Sequence, residues 1–160
     1  MKIETLQNLS RRQALCLGVA GFAFAAIALP GRPVVAARPA VIVYKSPECG
    51  CCAVWAAHLR ESGFDVRINE LDDLTPIKHQ ARVPENLATC HTAFVDGRVV
   101  EGHVPVEAID RLLTERPDVI GIAVPGMPAG APGMPGVRRE PFDVIAFAAD
   151  GRQTLFMRFR

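Results

Sequence analysis

Aromatic side chains are scarce in this chain of 160 residues, which has one Trp, one Tyr and eight Phe. No basic run is interleaved with them, and the formal net charge is only +1 at pH 7. A surface that stacks bases on rings and neutralises phosphates is therefore excluded, and nucleic acid with it. Long hydrophobic runs are also missing. The apolar stretch Ala14 to Leu29 is too short and too weakly apolar for a permanent membrane anchor. The chain does have thiols. Cys49-Gly50-Cys51-Cys52 packs three into four positions, and a further one stands beside an imidazole in Cys90-His91. Three thiols so close exceed what one disulfide can use, and they cannot staple distant parts of a core. A soft-metal site is the economical reading, because thiolate and imidazole clusters prefer Cu(I), Zn(II) or iron–sulfur centres over hard cations.

Residues 1–37 read as a removable front end. Lys2, Arg11 and Arg12 precede the apolar stretch, and small residues close it at Val35-Ala36-Ala37, the order of an export signal. Ser10-Arg11-Arg12-Gln13-Ala14-Leu15 resembles a twin-arginine signal, with Ala14 in place of the usual large apolar residue. Cys16 reads as a passenger removed with the signal. The expected destination is the periplasm, with no stable membrane insertion after cleavage. Residues 38–160 then form one domain, about 120 residues long, enough for a modest core. Its charge is slightly negative, with 14 Lys and Arg against 16 Asp and Glu.

The elements alternate along this domain. Val41 to Tyr44 reads as a buried strand. Ala53 to Ser62 reads as a helix, with Val54, Trp55, His58 and Leu59 near helical spacing and Gly63 as its stop. Phe64 to Ile68 alternates as a second strand. Asp73 to Ala81 is a short helix with Pro76 in its first turn. Thr92 to Val95 and Arg98 to Val100 form a hairpin around Asp96-Gly97, a strong two-residue turn signal. Pro105 opens a helix over Val106 to Arg116, its apolar face made by Ile109, Leu112 and Leu113. Strand, helix, strand, helix, hairpin, helix is the order of a thioredoxin-like α/β domain. Pro125-Gly126-Met127-Pro128 recurs as Pro132-Gly133-Met134-Pro135, a loop too rich in Pro and Gly for regular structure. Phe142 to Phe147 and Thr154 to Phe159, around Asp150-Gly151, read as a closing hairpin.

Strand, C-x-x-C and helix together resemble the glutaredoxin opening, with Cys49 and Cys52 in the dithiol positions. His91 to Gly97 resembles the stretch that begins in glutaredoxins with a cis-proline, here replaced by His91. That resemblance implies that Cys90 and His91 face the thiol cluster. A narrower resemblance is to the exported CopG-like copper-resistance proteins. Its marks are C-x-C-C at Cys49 to Cys52, Cys90-His91-Thr92, Glu101-Gly102-His103-Val104-Pro105 and the Gly-Met-Pro loop. It spans Val41 to Phe159 and implies copper binding coupled to thiols that cycle between dithiol and disulfide.

The residues support such chemistry independently. A cysteine that begins a helix, as Cys52 does in this reading, is favoured as thiolate by unpaired N–H groups and the helix dipole. Thiolates serve disulfide exchange and soft-metal ligation alike. Cys49 and Cys52 suffice for exchange, whereas Cys51, Cys90 and His91 raise the donor count to five and favour metal. Thioethers are poor zinc ligands, so Met127 and Met134 tilt the choice from zinc to Cu(I), with room for more than one ion. His103 is read either as a further ligand or as a residue near the start of the third helix with a capping or surface role. Plainer roles stand beside these: Cys51 as core filler, His91 as a loop brace, the methionines as packing plugs, His58 and His79 as surface groups, Trp55 and Tyr44 as core. The expected function is copper handling or resistance, with other periplasmic copper proteins as partners. A glutaredoxin-like thiol–disulfide oxidoreductase and a copper metallochaperone are the alternatives.

Overall fold

The computed structural model describes residues 37–136 and 140–160; the expected export signal, residues 1–37, lies outside them except for its last residue. Strand β1 (Ala40–Lys45) leads into helix α1 (Gly50–Glu61), β2 (Asp65–Glu70) and helix α2 (Thr75–Gln80). A 3-10 turn at Glu85–Leu87 precedes β3 (His91–Val95) and β4 (Arg98–Glu101). Helix α3 (Val106–Glu115), β5 (Gly121–Ala123), β6 (Phe142–Phe147) and β7 (Gln153–Phe159) complete the described chain. The seven strands form one mixed sheet in the order β2-β1-β3-β4-β5-β6-β7. β1 runs parallel to β2, and β4 to β5; the other pairs are antiparallel.

Period-two alternation divides the sheet into two faces. Val41, Val43, Val100 and Ile122 meet α1 and α3 on one face, packing around Trp55, Leu59, Ile109 and Leu112. Their neighbours Val99 and Ala123 point the other way, into a smaller cluster with Leu87, Ala81 and Phe147. β1 is thus buried on one face only: Ile42 is 37% exposed, where the sequence suggested a fully buried strand.

Helix α1 begins at Gly50, three residues ahead of the expected Ala53, with Cys49 as its N-cap. Cys51 and Cys52 therefore lie in its first turn. Its inner stripe is Cys52, Trp55, Ala56 and Leu59, spaced i, i+3, i+4 and i+7. Val54 is 56% exposed and His58 partly so, which removes both from the expected apolar face. The left-handed Gly63 follows the helix as anticipated. Asp73 precedes α2, accepting a hydrogen bond from the Thr75 amide (2.8 Å). The β3–β4 turn has positive φ at both Asp96 and Gly97, the twist a two-residue hairpin requires.

The closing hairpin adds its two strands to the sheet, and the feature that goes beyond the sequence reading is β5, which bridges the hairpin to β4. That bridge is short and contains Gly121, so its propensity signal is weak. Gly121 is needed there: a Cβ would collide with the Val99 carbonyl on β4. Gly121→Ala should therefore cost about 1–3 kcal/mol, the usual scale of overpacking. The urea midpoint checks this, and an unchanged midpoint would show that β4 and β5 can separate freely.

Candidate metal centre

The loop between β1 and α1 is tied down before its cysteines appear. Lys45, almost wholly buried, donates through Nζ to the Ser46 carbonyl (2.8 Å) and to Glu70 (2.8 Å). The Cys49 amide then donates back to Ser46 (3.1 Å). This fixes where α1 starts, and its first-turn N–H groups have no helical partners of their own.

Cys49 and Cys52 are joined by a disulfide, while Cys51 and Cys90 are free. Cys51 Sγ lies 3.5 Å from Cys49 Sγ. The Sγ atoms of Cys49, Cys51, Cys52 and Cys90 all fall within 4.8 Å of one another. A second group with the same spread comprises Cys52, Cys90, His91 and His103. Cys52 and Cys90 belong to both. The first group is partly exposed except for Cys52; in the second only Cys90 is. A disulfide sulfur is no thiolate, so Cys49 and Cys52 become metal donors only after reduction.

The two imidazoles are positioned differently. His103 donates from Nδ1 to the Pro132 carbonyl (2.7 Å), an assignment that follows because a carbonyl can only accept. Nε2 is left with its lone pair facing Cys90 Sγ, 3.4 Å away. A second nitrogen held by a carbonyl is the usual support of a metal-binding histidine. His91 directs Nδ1 to Cys90 Sγ (3.5 Å). Its Nε2 is the one buried side-chain nitrogen or oxygen among the described residues without a hydrogen-bond partner. Buried polar atoms seldom stay unpaired, and this nitrogen belongs to a ring whose other nitrogen already faces the Cys90 thiol.

Burial sets the protonation states. It lowers the His91 pKa from 6.5 to about 3, reinforced by His103 and Lys78. His103 shifts down as well, through burial opposed by its bond to Pro132. Both rings are neutral and able to ligate at physiological pH. Cys90 is pushed up to about 12, first by burial and then by the neighbouring Cys51.

The Gly-Met-Pro repeats do not take equivalent places. Met127 sits in a left-handed turn and is 42% exposed. Met134 packs against the core and lines a depression with Cys51, Val54, Gly133 and Pro135. The second repeat folds back onto α1: Gly133 has φ of +81, and a Cβ there would meet the Trp55 nitrogen at 2.8 Å and the Cys51 carbonyl at 3.0 Å. The loop touches the cluster through the Pro132 carbonyl, a contribution that no side-chain reading could reveal.

Sequence reasoning quoted Glu101 within a motif but gave it no task. Its carboxylate is wholly buried and accepts hydrogen bonds from Lys78 Nζ (2.5 Å), the Thr89 amide (2.6 Å) and hydroxyl (3.0 Å), and the Thr92 hydroxyl (2.7 Å). The signal was a charged residue ending the apolar run Val99-Val100.

Comparison with known proteins places this geometry in context. The family described as "Protein of unknown function, DUF411" matches residues 87–134. No curated protein matches the chain. The solved structure of copper resistance protein CopG in its form 2 is 38% identical, with a TM-score of 0.73, covering 77% of this chain and 99% of that one. Form 1 of the same protein is also 38% identical, with a TM-score of 0.72, covering 76% and 98%.

With its thiol pushed up to about 12, Cys90 carries a thiolate fraction on the order of 10⁻⁵ at pH 7. Its alkylation rate in the metal-free protein should rise about tenfold per pH unit from 7 to beyond 10. Differential alkylation with mass spectrometry measures this. A rate that levels off near pH 9 would contradict the buried-thiol geometry.

Proposed function

The chain belongs to the CopG-like copper resistance family, and from its donor set we propose that it binds Cu(I) in copper handling or resistance. The observation that carries this is the buried group of Cys52, Cys90, His91 and His103, with donor atoms within 4.8 Å of one another. Its fit to a soft ion is chemical. Both imidazoles are neutral, His103 presents a lone pair at Nε2, and His91 Nε2 has no other partner. Cys49 and Cys51 extend the donors outward, giving room for a second ion. Met134, which lines a depression with Cys51, is the better supported thioether donor of the two methionines, Met127 being on an exposed turn.

The Cys49–Cys52 disulfide supports the redox side of this reading. Two electrons and two protons convert it into two thiols, after which each thiol loses its proton as it takes metal. Copper binding and thiol oxidation therefore compete for Cys52. The same disulfide, at the N-terminus of α1, supports the second reading, a glutaredoxin-like oxidoreductase. The order β1-α1-β2-α2-β3-β4-α3, with β1 between β2 and β3, favours the thioredoxin-like fold that such chemistry uses. A metallochaperone role would differ only in handing the ion on. We place the protein in the periplasm on the strength of residues 1–37 as a cleaved export signal, by the twin-arginine route. No helix among the described residues is long and apolar enough to cross a membrane.

Fully reduced protein should bind at least one Cu(I) per chain, measured by competition with a chromophoric Cu(I) chelator. Cys52→Ser, which removes a donor common to both groups, should abolish most of that binding; full stoichiometry and affinity in the variant would refute the site. High disulfide-reduction rates with no copper uptake would favour the oxidoreductase instead.

Redox state gives a separate check. The disulfide form should hold copper more weakly, and bound copper should slow alkylation of the reduced thiols. Equal alkylation rates in metal-free and copper-loaded protein would break the proposed link.

A further inference from the structure

We propose that Glu101 is a positioning residue of the metal centre, holding the Thr89–Thr92 turn closed so that Cys90 and His91 face the incoming ion. This rests on the metal-binding reading above. The carboxylate has no exposure and receives four hydrogen bonds. Three of them come from Thr89 and Thr92, the residues on either side of the Cys90-His91 pair. The bracketed pair thus has both flanks fixed to one anion.

The bonding has a direction. Lys78 Nζ donates to the Thr92 hydroxyl (3.0 Å) as well as to Glu101, so the Thr92 proton is turned toward the carboxylate. Thr89 is seated from the other side too: Gly102, with φ of +74, leaves room for Thr89 Oγ1 and Cγ2 where a Cβ would lie 2.8 and 3.0 Å from them. The Gly102 amide donates to the His91 carbonyl (3.1 Å). His103, next in the chain, faces Cys90. Each residue from Glu101 to His103 therefore holds or meets part of the same turn.

Stability is a poor explanation for this arrangement. Val99 and Val100 show that the strand is apolar here, and a well-packed apolar side chain commonly matches or exceeds a buried ion pair. What a buried anion with converging donors provides is a single geometry. A metal site whose ligand loop is already closed avoids the cost of ordering it during binding.

The test uses the full chain, fully reduced, as wild type, Glu101→Gln and Thr89→Val. Cu(I) affinity comes from chelator competition, and Co(II) charge-transfer and d–d absorption reports ligand geometry. Glu101→Gln should weaken Cu(I) binding by about 10- to 100-fold, the usual effect of losing an outer-sphere support, and should shift the Co(II) spectrum. Thr89→Val, which leaves the carboxylate paired with Lys78 and Thr92, should weaken it about fivefold, the factor for one hydrogen bond. A Glu101→Gln variant with a lower urea midpoint but wild-type affinity and Co(II) spectrum would overturn the proposal, leaving Glu101 a stabilising group only. If Glu101→Gln does not fold, Thr89→Val decides: unchanged affinity and spectrum overturn the proposal, and a loss with an altered spectrum supports it. A wild-type chain that takes up neither ion overturns the metal reading, and the positioning role with it.

Discussion

Trp55 is the piece through which the separate parts of the site are held together. Its side chain is fully buried, and its ring lies against His91 with centroids 4.4 Å apart. Its Nε1 donates to the Val104 carbonyl (2.9 Å). Gly133 packs onto its backbone nitrogen. One residue on α1 therefore touches β3, the segment between β4 and α3, and the Gly-Met-Pro loop. Those are the elements that supply His91, His103 and the Pro132 carbonyl, while α1 and its N-cap Cys49 supply the C-x-C-C thiols. The indole buries a large apolar surface and keeps its polar edge satisfied, so it can hold the donors together without competing for the metal.

The thiol cluster was legible because its chemistry lies in side-chain identity: three cysteines in four positions and a Cys-His pair need no fold to be noticed. Most strands and helices were legible too, since β1, β3, β4 and α3 have clear periodicity and the Asp96-Gly97 and Gly63 signals act locally. What escaped depends on distant pairing. β5 is three residues long with a glycine at its start, and exists because β4 and β6 flank it. For His103 the sequence left a capping and a ligand role open, and only the fold shows that its Nε2 faces Cys90. Glu101 was noticed as part of a motif but had no assigned task, since its partners Lys78, Thr89 and Thr92 lie 9 to 23 residues away. Pro132 contributes a carbonyl, which carries no residue identity at all.

The loop shows how similar motifs can diverge in use. Both repeats have left-handed glycines, yet only the second lies against α1, because Gly133 alone meets a helix backbone that a side chain would push away. The repeat that folds back orients His103 through a peptide carbonyl. A histidine in an apolar pocket would otherwise sample both tautomers; the carbonyl settles which nitrogen keeps its lone pair. The loop's tie to the buried donors therefore does not depend on sulfur.

In the proposed coupling of metal binding to thiol oxidation, Cys52 is central because it is the disulfide cysteine that both donor groups contain. Forming the Cys49–Cys52 disulfide leaves the outer group with Cys51 and Cys90 and the buried group with Cys90, His91 and His103. The loss is unequal. The outer group drops to two thiols, whereas the buried one keeps three donors, two of them neutral imidazoles whose ligation needs no proton release. On the proposed reading, a single oxidation therefore weakens both groups at once but unequally, and the buried imidazoles would be among the donors that remain. Burial makes this asymmetry: it holds His91 and His103 in their ligating form and makes Cys90 thiolate costly until a cation arrives to compensate its charge.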